Sequence, residues 1–205
     1  MRIYLVTDER LLLGKDLYRT VEAAVKGGVS MVQLREKESS TREFVERAIR
    51  LKEVLTPYGV PLIINDRVDV ALAANADGVH VGQSDMPYEM VKRLLPEGKI
   101  IGLSVESPEQ VLEANNYDLD YVAASPVFST TTKTNTIVEW GLDGLRWIRS
   151  VSRHPLVAIG GIHSNNVASI FKAGADSVAV ISAIVSADDP ERAARELLEK
   201  SGEPH

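Results

Sequence analysis

The sequence contains no cysteine. That single absence removes disulfides, thiolate nucleophiles and Cys-ligated zinc. Histidine is scarce as well, with four in 205 residues, and no two stand at the spacing of a zinc-ligating pair. Long apolar runs are missing: nothing approaches the roughly 18 uninterrupted apolar residues of a membrane span. The chain enters Ile3-Tyr4-Leu5-Val6 directly, with no apolar signal core behind a basic region. An excess of positive charge is missing too. Twenty-three Lys plus Arg face 29 Asp plus Glu, a net charge of -6. That balance argues against nucleic acid or an anionic membrane surface as the partner. It leaves room for small phosphorylated ligands, which need only a local cluster of donors. The expectation is a cytoplasmic protein acting on small molecules, with assembly into a homo-oligomer left open.

What is present is alternation. A content of 44% hydrophobic residues suffices for one core, and a single domain spanning 1–205 is expected. Apolar runs at 3–7, 29–34, 62–64, Gly78–Val81, Ile100–Val105, Tyr121–Ala124, Leu156–Ile159 and 177–181 read as strands. Between them, Leu17–Lys26, Thr41–Leu55, 68–74, 87–95, 108–115, 142–151, 165–173 and Pro190–Lys200 carry helical spacing. Asn75-Ala76-Asp77-Gly78-Val79 and Gly174-Ala175-Asp176-Ser177-Val178 form a weak internal echo, each closing a helix and launching a strand. Eight strand–helix units in strict order predict a (β/α)8 TIM barrel of α/β class, smaller than the usual size of about 250 residues. A doubly wound sheet would show a Gly-rich first turn, and Asp8-Glu9-Arg10 is nothing of the kind.

In such a barrel the active site lies at the C-terminal strand ends, and here those ends are polar almost throughout. The densest is Gln33-Leu34-Arg35-Glu36-Lys37. Arg35 and Lys37 are two apart, so along an extended chain they share a direction, and two cations facing one point suit a phosphate. Asp66 and Asp85 follow neighbouring strands, and a facing pair of carboxylates beside phosphate suits Mg2+, a hard cation. For either aspartate alone, a helix N-cap or turn role explains it equally well. Gly160-Gly161 after the seventh strand and Ile181-Ser182-Ala183 after the eighth match the phosphate site that barrels build there. Thr130-Thr131-Thr132-Lys133 sits in the longest loop, 129–139, as a second phosphate clamp or a lid. His80, between two valines, reads as a hydrogen-bonded core histidine, His154 and His163 as surface or turn residues, and Trp140 and Trp147 as packing.

Several of these segments together resemble the thiamine-phosphate synthase family. They are Tyr4-Leu5-Val6-Thr7-Asp8, Gln33 to Lys37, Ile64-Asn65-Asp66-Arg67, Gly78-Val79-His80-Val81-Gly82-Gln83, Pro126-Val127-Phe128, Thr130 to Lys133 and Ala158-Ile159-Gly160-Gly161-Ile162. The resemblance runs in order over nearly the whole chain. It implies a transferase that joins hydroxymethylpyrimidine pyrophosphate to hydroxyethylthiazole phosphate, or its carboxylated form, by a dissociative route. It also implies that Gln33, Leu34, Arg35, Glu36, Lys37, Asn65, Ser104 and Lys133 hold the pyrimidine pyrophosphate. Thr130, Thr131, Thr132, Gly161, Ile181 and Ser182 would hold the thiazole phosphate, and Asp66 and Asp85 the Mg2+. Arg35, Lys37, Ser104 and Lys133 carry the catalytic expectation. Two positions depart from the family pattern: Glu106, where His or a neutral residue is expected, and Ser125, where Gly is usual. The alternatives are the sister thiazole tautomerase, a non-catalytic phosphate-ligand barrel, or a phosphosugar isomerase with Glu36 as its base.

Overall fold

The computed structural model describes residues 2–129 and 139–202. Eight parallel strands close into a barrel in chain order: β1 (Ile3–Val6), β2 (Met31–Leu34), β3 (Leu62–Asn65), β4 (Gly78–Val81), β5 (Ile100–Val105), β6 (Tyr121–Ala124), β7 (Leu156–Ile159) and β8 (Ser177–Val180). The ring shuts where Tyr4 of β1 pairs with Ala179 of β8. The helices are α1 (Leu17–Lys26), α2 (Thr41–Leu55), α3 (Val68–Ala73), α4 (Tyr88–Leu94), α5 (Pro108–Ala114), α6 (Gly141–Val151), α7 (Val167–Lys172), α8 (Ser182–Val185) and α9 (Pro190–Lys200). The (β/α)8 barrel expected from the alternation is the fold observed. Among the described residues no helix is long and apolar enough to cross a membrane.

Sequence chemistry sets where helices begin. Asp16 accepts the Arg19 N–H at the start of α1, Asp189 accepts the Arg192 N–H before α9, and Ser40 and Glu43 form a reciprocal capping box on α2. Each satisfies backbone donors that a helix N-terminus otherwise leaves without partners. Short elements escaped periodicity: the 3-10 turns Glu9–Leu12 and Thr56–Tyr58 and the one-turn α8. Three or four residues are too few to display a repeat of 3.6.

The strands are only four to six residues long and almost wholly buried, as parallel strands covered on both faces must be. Their two-residue period divides the core. Ile3, Leu5, Val32, Leu34, Leu62, Ile64, Val79, Val122, Leu156 and Val178 point outward and pack beneath the helices. Tyr4, Val6, Met31, Ile63, Tyr121, Ala123, Val157 and Ala179 point inward and fill the lumen. Tyr121 fits because Gly102, its neighbour across the β5–β6 ladder, has no side chain. A Cβ there would lie 2.1 Å from the ring's Cζ.

The internal echo has a structural reason. At the N-terminal rim, a polar side chain just before each even strand accepts a backbone N–H within one residue of the start of the preceding odd strand. Asp77 Oδ2 takes the Leu62 N–H at 2.8 Å, Asp120 Oδ2 the Ile101 N–H at 2.7 Å and Asp176 Oδ2 the Leu156 N–H at 2.8 Å. Ser30 Oγ takes the Arg2 N–H at 3.2 Å in the same way. Asp120→Ala would leave the Ile101 donor without its carboxylate. The expected cost is about 1–3 kcal/mol, because a charged acceptor is lost from a part-buried donor. Urea melts against wild type check it, and an unchanged midpoint would show that the tie contributes nothing.

Candidate active site

A cavity of about 820 Å³ opens at the C-terminal ends of the strands. Its floor is the upper lumen: Tyr4, Gln33, Asn65, His80 and Ser104. Its walls carry Arg35, Lys37, Asp66, Asp85, Gly160, Gly161, Ile181 and Ser182. Those residues come from seven of the eight strands and the turns that follow them, separated by long stretches of chain, and only closure of the barrel brings them together.

The β2 end is built as a clamp. The Arg35 N–H donates to Thr7 Oγ1 at 3.1 Å, and its guanidinium donates to Asp8 Oδ2 at 2.6 Å. The strand end of β1 thus aims the Arg35 side chain. Lys37 Nζ lies 2.6 Å from Asp66 Oδ2. Both cations line the cavity, as their two-residue spacing requires. Leu34 and Glu36 have the opposite parity. Leu34 is buried among the outer core, and neither side chain lines the cavity. The Glu36 carboxylate is only 3% exposed and accepts from Arg47 Nη1 at 3.0 Å and from Ser39 Oγ at 2.8 Å. Arg47 also grips Glu9 through both terminal nitrogens, holding that carboxyl below its ordinary range. Glu36 therefore braces the clamp from behind.

The carboxylates come from β3 and β4. Asp66 has a left-handed backbone (φ 63), and the Arg67 N–H bonds the Asn65 carbonyl across it at 2.8 Å. This is the strained, positive-φ form of the γ-turn, a conformation that clusters at working sites. Asp85 Oδ2 accepts the Gly82 N–H at 2.7 Å. Neither aspartate is a helix N-cap: that position is Arg67 for α3 and Pro87 for α4. Burial pushes the Asp85 carboxyl above its ordinary range, and the adjoining Asp66 carboxyl pushes it further. A carboxyl group whose proton affinity is raised by a neighbouring carboxyl is an arrangement that suits a hard divalent cation. No group of three or more His, Cys, Asp or Glu suited to a metal exists among the described residues. Two protein carboxylates, with remaining positions left for phosphate oxygens and water, fit Mg2+ rather than an all-protein cage.

Across the mouth stands the wall formed by the turns after β7 and β8. Gly161 has φ +64, and a Cβ there would meet Phe128 Cβ at 2.8 Å and the Ser129 carbonyl at 2.9 Å. Only glycine satisfies both the conformation and the approach. After β8, α8 begins at Ser182 without a side-chain cap, on the cavity wall. This is the short extra helix with which barrels commonly build a phosphate site. Thr130, Thr131, Thr132 and Lys133 lie outside the described residues. The segment containing them is tied at its base: Ser129 Oγ donates to the Glu139 carboxylate, and the Trp140 N–H reaches the Pro126 carbonyl at 3.0 Å.

A family model described as thiamine monophosphate synthase matches residues 3–184. The chain belongs to that family. It is 53% identical over 190 residues to a thiamine-phosphate synthase of Albidiferax ferrireducens, covering 93% of this chain and 87% of that one. It is 50% identical to the thiamine-phosphate synthase of Vibrio campbellii, with 96% of each chain covered. Among solved structures it resembles the thiamine phosphate pyrophosphorylase of Pyrococcus furiosus at 41% identity and a TM-score of 0.89, over 97% of this chain and 94% of that one.

Three histidine readings can now be placed. His80 is hydrogen-bonded in the core, and it also faces the cavity floor. His163 is exposed at the rim. His154 is buried, not a surface residue. Its ring bonds the Leu119 and Ala114 carbonyls and ties α5 to the β6 and β7 starts. Tyr4 was not expected in the site. The signal for it was its inward parity on β1, which an apolar reading of that strand concealed. Glu106 and Ser125, the two departures from the family pattern, both line the cavity.

Proposed function

We propose that the chain joins hydroxymethylpyrimidine pyrophosphate to hydroxyethylthiazole phosphate, forming thiamine phosphate and releasing pyrophosphate. The observation that supports this reading is that one cavity carries the Arg35 and Lys37 cations with the Asp66 and Asp85 carboxylates on one wall and the glycine-rich turn after β7 on another. Asp66 follows β3 and Gly160-Gly161 follows β7, four strands apart in a ring of eight and so diametrically opposed. One substrate brings a pyrophosphate to the Arg35 and Lys37 side, and the other brings a phosphate to the Gly161, Ile181 and Ser182 side. The pyrimidine ring occupies the floor between them, beside Gln33, Asn65 and Ser104.

Pyrophosphate departs first, taking the electron pair of the C–O bond, and the thiazole nitrogen then closes the new C–N bond. No general base is needed. Catalysis is preorganised charge: Arg35 and Lys37 would stabilise the negative charge that grows on the leaving group, and the family resemblance gives Lys133 the same role. Asp66 and Asp85 would hold Mg2+, which when bound adds Lewis-acid stabilisation of that same charge. The family resemblance assigns Thr130, Thr131 and Thr132 to the thiazole phosphate. The chain is an enzyme, a transferase acting on small phosphorylated substrates.

The test is a mass-spectrometric end-point assay with both substrates and Mg2+. Wild type is expected to form thiamine phosphate and pyrophosphate. Asp66→Ala, Arg35→Ala and Lys133→Ala should each lose roughly 100-fold or more in rate. No product from wild type that binds both ligands would overturn the synthase reading in favour of a tautomerase or a binding protein.

A further inference from the structure

We propose that Tyr121, which has no face on the cavity, sets the donor and acceptor pattern of the cavity floor through a one-way chain of hydrogen bonds. Five side chains from five strands are joined across the lumen. Gln33 Nε2 donates to Tyr4 Oη at 2.7 Å, Tyr4 Oη meets Tyr121 Oη at 2.9 Å, Tyr121 Oη meets His80 Nδ1 at 3.0 Å, and His80 Nε2 meets Ser104 Oγ at 2.9 Å. All five residues are buried, and Gln33, Tyr4, His80 and Ser104 line the cavity while Tyr121 does not.

The direction follows from counting protons. Each tyrosine hydroxyl has one proton to give. The Gln33 amide already donates to the Tyr4 oxygen, so the Tyr4 proton goes to Tyr121. If it did not, a hydroxyl proton would be stranded in the lumen at the cost of an unmade hydrogen bond. Tyr121 then gives its proton to His80 Nδ1. A ring nitrogen that accepts carries no proton, so His80 is held as the Nε2–H tautomer and donates to Ser104 Oγ. The Ser104 proton is left to point into the cavity, and the Gln33 amide keeps its Oε1 for the ligand. Burial pushes both phenols well above their ordinary range, so neither ionises to break the sequence. Packing keeps the hub in place: the Tyr121 ring stacks on His80 at 5.6 Å and stands edge-on to Tyr4 at 5.8 Å.

The floor therefore offers an acceptor at Gln33 and a donor at Ser104. That pair complements an aminopyrimidine edge, whose exocyclic amine donates and whose ring nitrogen accepts. This ligand consequence rests on the function proposed above; the hydrogen-bond direction does not. Tyr121 is thus a positioning residue, acting through Tyr4 and His80.

Two measurements test it. The first is 15N NMR of the His80 ring in unmutated protein, assigned by the signals lost in His80→Gln. An unprotonated Nδ1 and a protonated Nε2 are expected, and a protonated Nδ1 would overturn the chain whatever the enzyme proves to catalyse. The second is Tyr121→Phe, which keeps the ring and removes only the hydroxyl. The His80 signals should move towards a mixture of tautomers. KM for the pyrimidine pyrophosphate should rise roughly tenfold, the worth of about one buried hydrogen bond, with KM for the thiazole phosphate unchanged. A lowered melting temperature with both the tautomer and the pyrimidine KM unmoved would reduce Tyr121 to a packing residue.

Discussion

Asp85→Asn is expected to lower kcat/KM by roughly 100-fold to 1,000-fold, the scale of losing one group that stabilises transition-state charge, while making the metal-free protein more stable. The two effects have one origin. Burial and the neighbouring Asp66 carboxyl raise the Asp85 pKa, so the folded state holds that proton more tightly than the unfolded chain does. Above the raised pKa the ionised pair opposes folding. As pH falls through it the opposition is relieved, and metal-free wild type should gain stability over that range. Asparagine removes the repulsion and retains an oxygen for the Gly82 N–H, which now stands 2.7 Å from Asp85 Oδ2. Melting curves across pH, with and without Mg2+, separate the contributions. Mg2+ should raise the melting temperature of wild type and leave Asp85→Asn nearly unmoved. An equal rise in both, or a variant less stable than wild type without metal, would remove Asp85 from the cation seat.

The largest loss of stability is expected from Gly102→Ala. The added Cβ would stand 2.1 Å from Tyr121 Cζ and 2.3 Å from its hydroxyl oxygen. The ring cannot yield cheaply, because it is bonded to Tyr4 and His80 and packed against both. Overpacking costs about 1–3 kcal/mol by itself, and displacing the ring also breaks buried hydrogen bonds worth about 1–3 kcal/mol more. At about 2–4 °C per kcal/mol for a chain of this length, the melting temperature should fall by roughly 5–20 °C. Tyr121→Val vacates that volume, so Gly102→Ala should cost far less in its background. A cycle in which the two changes simply add would show that the predicted collision is absorbed elsewhere.

The outer half of this molecule was legible in the sequence because it repeats. Leu17–Lys26, Thr41–Leu55 and Pro190–Lys200 have the bounds that apolar spacing predicts, and the strands could be counted one by one. Arg35 and Lys37, just past the end of β2, were legible for a local reason too, since residues two apart on a chain that stays extended share a direction. The same rule places Leu34 and Glu36 on the other face, although family resemblance alone carries the whole segment 33–37 into the ligand site. The lumen was harder to read. Tyr4 and Tyr121 are separated by 117 positions, and no pattern in either strand announces that their hydroxyls meet. Gly102 likewise looks like any glycine in a strand until the ring it makes room for is known. His154 was misread because its neighbours Arg153 and Pro155 suggest a turn, whereas two carbonyls from α5 and its following loop draw the ring inside.

The polar ties at the N-terminal rim divide the ring into four. Ser30, Asp77, Asp120 and Asp176 each bind an even strand back to the odd strand before it by accepting a backbone N–H, whereas the contacts between pairs are of another kind: Lys99 Nζ donates to the Ala76 carbonyl between β4 and β5, and the His154 ring bonds the Leu119 carbonyl between β6 and β7. Two strands with their helices therefore form a quarter-barrel module whose lower edge is already closed by its own residues. A segment of that size carries its fastening with it when it is copied, whereas one shifted by a single strand would separate the acceptor from its donor. For these four ties the grain of the barrel runs between the pairs.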